Sequence, residues 1–166
     1  HPRVNILQPG PGVGGHCIAV DPWFIVAADR ENSNLIRTAR EVNDGKPKWV
    51  ISKVEEACSH VESPVIAALG LAFKANIDDL RESPAMNITK DLAEHVSHAT
   101  VLAVEPNVSE LPKGLQGLSN VEFAEYKDAI ERADVVLLLV DHDEFKALPA
   151  TALKGKAVVD TKGLWR

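Results

Sequence analysis

The chain has little cysteine, no long hydrophobic run and no excess of positive charge, and each shortage removes a class of protein. Its 166 residues include two cysteines, Cys17 and Cys58. That is too few for a disulfide framework and points to a reduced, cytosolic chain. No stretch approaches the ~20 consecutive apolar residues of a membrane-spanning helix, so no membrane role is expected. The opening residues, His1-Pro2-Arg3-Val4-Asn5, lack the apolar core of a secretory signal. Lysine and arginine number 18 against 24 aspartates and glutamates, a net charge of −6. A protein held to nucleic acid by phosphate contacts is usually basic, so nucleic acid is not an expected partner. Repeats and low-complexity tracts are also absent. What remains is 45% hydrophobic and 25% charged. This is the composition of a globular domain able to bury a core, not of a disordered tail or a collagen-like fibre.

The order of patterns predicts an α/β protein: a helical lead-in, then a Rossmann-like parallel sheet with helices on both faces. Residues 8–15 mix glycine and proline and form a loop. Apolar residues cluster from Cys17 to Arg30 as a buried helix. A second helical pattern follows from a cap at Asn32 or Ser33, with a break near Gly45 and Pro47. Residues 64–70, 100–104, 134–140 and 156–160 read as four buried strands. Between them, helical patterns span 84–95, capped by Ser83 or Asp79, then 126–133 and 144–148. Unbroken apolar strands alternating with amphipathic helices imply a parallel sheet covered on both sides. The division falls at residues 1–60 and 61–166.

Two segments carry candidate chemistry. In Gly12-Val13-Gly14-Gly15-His16-Cys17, a glycine loop feeds a helix start, where the helix dipole favours a thiolate. Asp21 lies four residues after Cys17, on the same helix face. A nucleophile beside a carboxylate is a catalytic pair; a buried cysteine after a structural turn is the plainer alternative. The second segment, residues 70–84, follows the first strand. It puts Lys74 and Arg81 at the carboxyl edge of the sheet, where such sheets bind ligands and cations meet phosphates. Two surface charges on a solvated loop is the alternative there. Glu105 ends the second strand, about where a ribose-binding acid sits in a dinucleotide fold. The first turn offers Gly70-Leu71-Ala72 rather than G-x-G-x-x-G, which argues against an NAD site in this sheet. His60, His95, His98 and His142 lack metal-ligand spacing, so no metal is expected. Cys58 reads as packing.

The run from Gly10 to Phe24, through Gly-Gly-His-Cys-Ile-Ala-Val-Asp-Pro-Trp, resembles the catalytic cysteine segment of the nucleotide-sugar 6-dehydrogenases, the UDP-glucose/GDP-mannose dehydrogenase family. Its Ile-Ala-Val-Asp-Pro-Trp form is similar to the branch acting on UDP-N-acetyl-D-mannosamine. The segment Gly70-Leu71-Ala72-Phe73-Lys74 to Pro84 resembles the same family's nucleotide-sugar domain. The resemblance implies NAD as cofactor and a UDP-sugar as substrate. It implies that Cys17 is the nucleophile and Asp21 its helper, with Gly12, Val13, Gly14 and Gly15 against the sugar and the nicotinamide. It further implies that Phe73, Lys74 and Lys162 contact the UDP-sugar and that Arg81 reaches the NAD diphosphate. His1 and Arg3 would cross to a partner subunit's substrate, in a homodimer formed through the helices of residues 33–58. Lys162 stands where arginine is frequent and gives up the bidentate fork. By this resemblance the chain is the C-terminal part of such an enzyme. The family's N-terminal NAD-binding domain and its lysine and asparagine for acid/base work lie outside it, so the chain alone is expected to be inactive. Residues 161–166 look like a natural C-terminus, whereas His1 does not look like a natural start. The implied reaction passes through a thioester and feeds a cell-envelope polysaccharide. UDP-N-acetylglucosamine or UDP-glucose as substrate, and a UDP-sugar-binding or dimerisation module without redox chemistry, are the alternatives.

Overall fold

The computed structural model describes residues 8–165. Three helices lead: α1 (Cys17–Ala28), α2 (Asn34–Asp44) and α3 (Lys46–Cys58). The strands β1 (Val65–Leu69), β2 (Thr100–Val104), β3 (Val121–Phe123), β4 (Val135–Leu138) and β5 (Ala157–Asp160) form one sheet. Helices α4 (Pro84–His95), α5 (Tyr126–Arg132) and α6 (Asp143–Lys146) and a 3-10 turn at Ala150–Leu153 lie between them. All neighbouring strands are parallel, in the order β3-β2-β1-β4-β5. This is the Rossmann-like α/β architecture expected, with the helices preceding the sheet.

The apolar strands serve two layers at once. In β1, Ile66 and Ala68 pack into one core and Ala67 and Leu69 into the other, following the strand's period of two. The first core is closed by Val50 and Val54 of α3 and Ile88 and Leu92 of α4; the second by Ala129 and Ile130 of α5 and by Phe145. Burying each of the larger side chains is worth ~1.5–3 kcal/mol. Helix α4 starts where its sequence says: the Ser83 hydroxyl accepts the Met86 amide at 3.3 Å. Pro84 takes the first helical position, where its missing N–H costs nothing.

The structure departs from the sequence reading in three places. β3 was not expected; at three residues it is too short to register as an alternation, and it forms by pairing with β2 at the sheet's margin. The apolar run after Cys17 is a helix but not a buried one. Only Val26 of α1 is buried, whereas Ile18 is 57%, Phe24 68% and Ile25 52% exposed. α1 packs chiefly on α2. Ser33 occupies the N-cap position of α2, yet its hydroxyl makes no cap bond and is buried without a partner. The break at Gly45 falls as expected between α2 and α3. Among the described residues no helix is long and apolar enough to cross a membrane, and no cluster of His, Cys, Asp or Glu is placed to hold a metal ion.

Candidate active site

The chain places β2 and β3 on one side of β1, then returns to lay β4 and β5 on the other. Ligands of open α/β sheets bind at that reversal, beyond the carboxyl ends of the strands. The loops after β1, β4 and β5 emerge there, and the glycine segment packs down onto them. A Cβ added at Gly14 would sit 2.6 Å from Pro84 Cδ and 3.1 Å from Phe73 Cβ, and nearer still to the Glu82 carbonyl oxygen. At Gly15, where φ is +85°, a Cβ would be 3.3 Å from the Phe73 ring; at Gly10 it would be 3.5 Å from Lys162 Nζ. Glycine is therefore a spatial requirement at Gly14 and a conformational one at Gly15. From the other side, the Val13 N–H donates to Asn43 Oδ1 of α2 at 3.1 Å. The fold thus gathers the glycine loop, Phe73 and Lys162, which are far apart in sequence.

Cys17 opens α1 and is exposed, with Asp21 one turn along and also exposed. The His16 side chain makes no cap bond. Cys58 is its opposite. It is buried in the core, where burial first, then the Asp134 and Glu55 charges, push its thiol up.

The cations are less free than their sequence positions suggest. Arg81 Nη2 lies 2.7 Å from Asp79 Oδ2. Hydrogen bonds from the Arg81 side chain and backbone hold the Asp79 carboxyl down at about 2. The Arg81 side chain is nevertheless 68% exposed. Lys162 Nζ pairs with Asp141 at 3.3 Å. Its backbone is fixed by Asp160, whose carboxylate accepts the amides of Lys162 at 2.9 Å, Gly163 at 2.7 Å and Trp165 at 2.9 Å. Lys74 is exposed on the loop after β1. His1 and Arg3 lie outside the described residues.

The sequence reading gave no work to the groups beneath this edge. Glu105 is 2% and His142 0% exposed. Glu105 Oε2 accepts the Leu71 amide at 2.8 Å and the Ala72 amide at 3.0 Å, and lies 3.1 Å from His142 Nε2. Burial alone raises the Glu105 carboxyl, but the bonds from His142, Leu71 and Asn107 outweigh it and hold it at about 2. A signal was there: an acid ending a buried strand must find partners. Asn43 gave no such signal.

The same geometry tests whether NAD fits this sheet. The amides at the β1 turn, which would have to receive a diphosphate, already hold a fixed carboxylate. The helix that follows opens with Pro84, which has no N–H to offer. The residues at this turn do not fit a dinucleotide.

Comparison with known proteins shows the family to which the chain belongs. Residues 67–166 match the UDP-binding domain of the UDP-glucose/GDP-mannose dehydrogenase family, and residues 1–45 match its central domain. The chain is 58% identical, over its full length, to the UDP-N-acetyl-D-mannosamine dehydrogenase of Salmonella typhi, covering 41% of that protein. It is 57% identical over 99% of its length to the NDP-N-acetyl-D-galactosaminuronic acid dehydrogenase of Ralstonia nicotianae, covering 38% of it. The solved UDP-N-acetyl-mannosamine dehydrogenase of S. aureus superposes with a TM-score of 0.74 at 40% identity, over 99% of this chain and 38% of that one. The chain belongs to the UDP-glucose/GDP-mannose dehydrogenase family and spans about two fifths of the length of these relatives.

Proposed function

We propose that this chain is the cysteine-bearing and UDP-sugar-holding part of an NAD-dependent dehydrogenase that oxidises C6 of UDP-N-acetyl-D-mannosamine to the carboxylate. The observation that carries this reading is the docking of the glycine loop, which leads into Cys17, against Phe73 and Lys162. A sugar nucleotide held by Phe73, Lys74 and Lys162 would have its sugar end at that loop. Residues 1–60 would then present the nucleophile and residues 61–166 the nucleotide site. Exposed Leu35 and Val42 on α2 support a homodimer through the helices of residues 33–58.

NAD, when bound, supplies the oxidising equivalents. It is assigned to sequence beyond this chain, with Arg81 reaching toward its diphosphate. The chain's own residues handle the carbonyl carbon. The Cys17 thiolate adds to the C6 aldehyde, forming a C–S bond while the carbonyl oxygen takes a proton. Once that carbon has reached the thioester level, water attacks it, the C–S bond breaks, and carboxylate and thiolate are released. Asp21 assists the water or orients the base that does so. The covalent bond keeps the aldehyde from escaping between the two oxidations. The high identity to a relative named for an N-acetylgalactosaminuronic acid favours a second reading, in which the sugar is the galactosamine epimer.

The test is made on the complete protein that carries this chain. Cys17→Ala should abolish NADH formation with UDP-N-acetylmannosamine while UDP-sugar binding persists; retained kcat would overturn the assignment. This chain alone should bind UDP and produce no NADH, and sustained NADH production by it would place the NAD site wrongly.

A further inference from the structure

The loop from Leu71 to Asn76 is fastened at both ends by one buried relay. Glu105 Oε2 holds the amides of Leu71 and Ala72 at its start. At its end, the Asn76 N–H donates to His142 Nδ1 at 3.0 Å, and Asn76 Oδ1 accepts the Asp143 amide at 3.0 Å. Because Nδ1 accepts, the imidazole proton sits on Nε2 and is donated to Glu105 at 3.1 Å. Asn107 closes the set: its Nδ2 lies 3.1 Å from both Glu105 Oε1 and His142 Nδ1. Asn76 itself holds φ at +61°, a conformation asparagine tolerates better than most residues. Between the two fastenings lie Phe73, whose ring meets Gly15, and Lys74. Well-packed apolar side chains commonly stabilise a fold as well as a buried polar relay does. Its place under both ends of one loop is what needs explaining.

We infer that Glu105 and His142 are positioning residues that set the 71–76 loop, and with it Phe73 and Lys74, to receive the diphosphate sugar. This rests on the reading above that Phe73 and Lys74 contact the UDP-sugar. Neither buried side chain touches the ligand; each acts through the loop amides.

The experiment uses this chain, with UDP titrated by calorimetry and amide exchange followed by NMR. His142→Gln keeps a donor for Glu105 but leaves the Asn76 N–H without its acceptor. It should speed Asn76 exchange and weaken UDP binding, each about tenfold, as loss of one partly buried hydrogen bond implies. His142→Asn puts an oxygen where Nδ1 was and should keep Asn76 exchange near that of the parent. Ile88→Ala, in the other core layer, is the stability control and should leave UDP affinity alone. Unchanged UDP affinity in His142→Gln overturns the inference, whatever the loop does, and so does an equal loss in Ile88→Ala. Should His142→Gln not fold, Asn107→Ala at the exposed end of the relay carries the test, with a loss of about threefold expected and an unchanged affinity counting against the inference. A parent that does not bind UDP removes the UDP reading instead, and Asn76 exchange alone then decides whether the pair holds the loop.

Discussion

Gly14→Ala would put a methyl group where two backbones already touch. The added carbon would lie 2.6 Å from Pro84 Cδ and 3.1 Å from Phe73 Cβ, whereas carbon atoms rest comfortably at ~3.5–4.0 Å. One side has to give by about an ångström. The 82–84 turn is the stiffer side. Ser83 caps α4 and is 1% exposed. Glu82 already sits at φ +48°, a left-handed conformation that costs a residue with a side chain ~1–2 kcal/mol. The glycine loop therefore lifts, losing its packing on Phe73 and straining the Val13–Asn43 hydrogen bond. Overpacking of this kind costs ~1–3 kcal/mol. Gly10→Ala is the matched control, because a Cβ there meets only the flexible Lys162 side chain at 3.5 Å. That change should gain ~0.4–1 kcal/mol by restricting the unfolded chain. Urea denaturation of the two variants should separate them by about 2 kcal/mol. Equal stabilities would refute the docking of the glycine loop on this turn.

Asn43→Ala removes the acceptor of the Val13 amide. It should cost ~0.5–1.5 kcal/mol and speed exchange of the Val13 amide in NMR, with no change at the amides of Leu71 or Ala72. Acid should act through Glu105. Its folded-state pKa of about 2 lies below the ordinary 4.5, so its stabilisation is complete above pH 4.5 and is lost as pH falls toward 2. The shift corresponds to roughly 3 kcal/mol. The urea midpoint should fall across that window in the parent and fall less in Glu105→Gln; superimposable profiles would show that the carboxylate is not the group responsible.

The sheet was legible because parallel strands buried on both faces write themselves as apolar runs, as residues 134–140 do. Ser83-Pro84 announced α4 because a cap hydroxyl before a first-turn proline has one economical geometry. β3 was not legible, since three residues held by their neighbour β2 carry no periodicity of their own. The exposure of α1 was not legible either: its composition, with Ile18, Phe24 and Ile25, is that of a core helix, and composition does not reveal which layer is to cover it. Cys17, Phe73 and Lys162 were singled out through the family resemblance more than through spacing. The packing of the glycine loop on Phe73 depends on backbone approach at Gly14, which sequence records only as a glycine. Glu105 and His142 were seen but given no work, because hydrogen bonds to amides distant in the chain leave no local pattern.

Gly45 joins two helices and would ordinarily be taken for a hinge. Its dihedrals are φ −76° and ψ −16°, those of the helices on either side, and its amide completes the last turn of α2 by bonding the Glu41 carbonyl at 3.0 Å. Two residues before it, Asn43 grips the cysteine loop; a few residues beyond it, Val50 and Val54 are anchored in the core. The two helices are joined without a swivel: α3 is clamped at the sheet, and the loop leading into Cys17 is held at the joint itself. Carrying the Val13 segment away from α2 means breaking the grip of Asn43, so the seat of the loop that leads into Cys17 is a mechanical property of the α2–α3 joint.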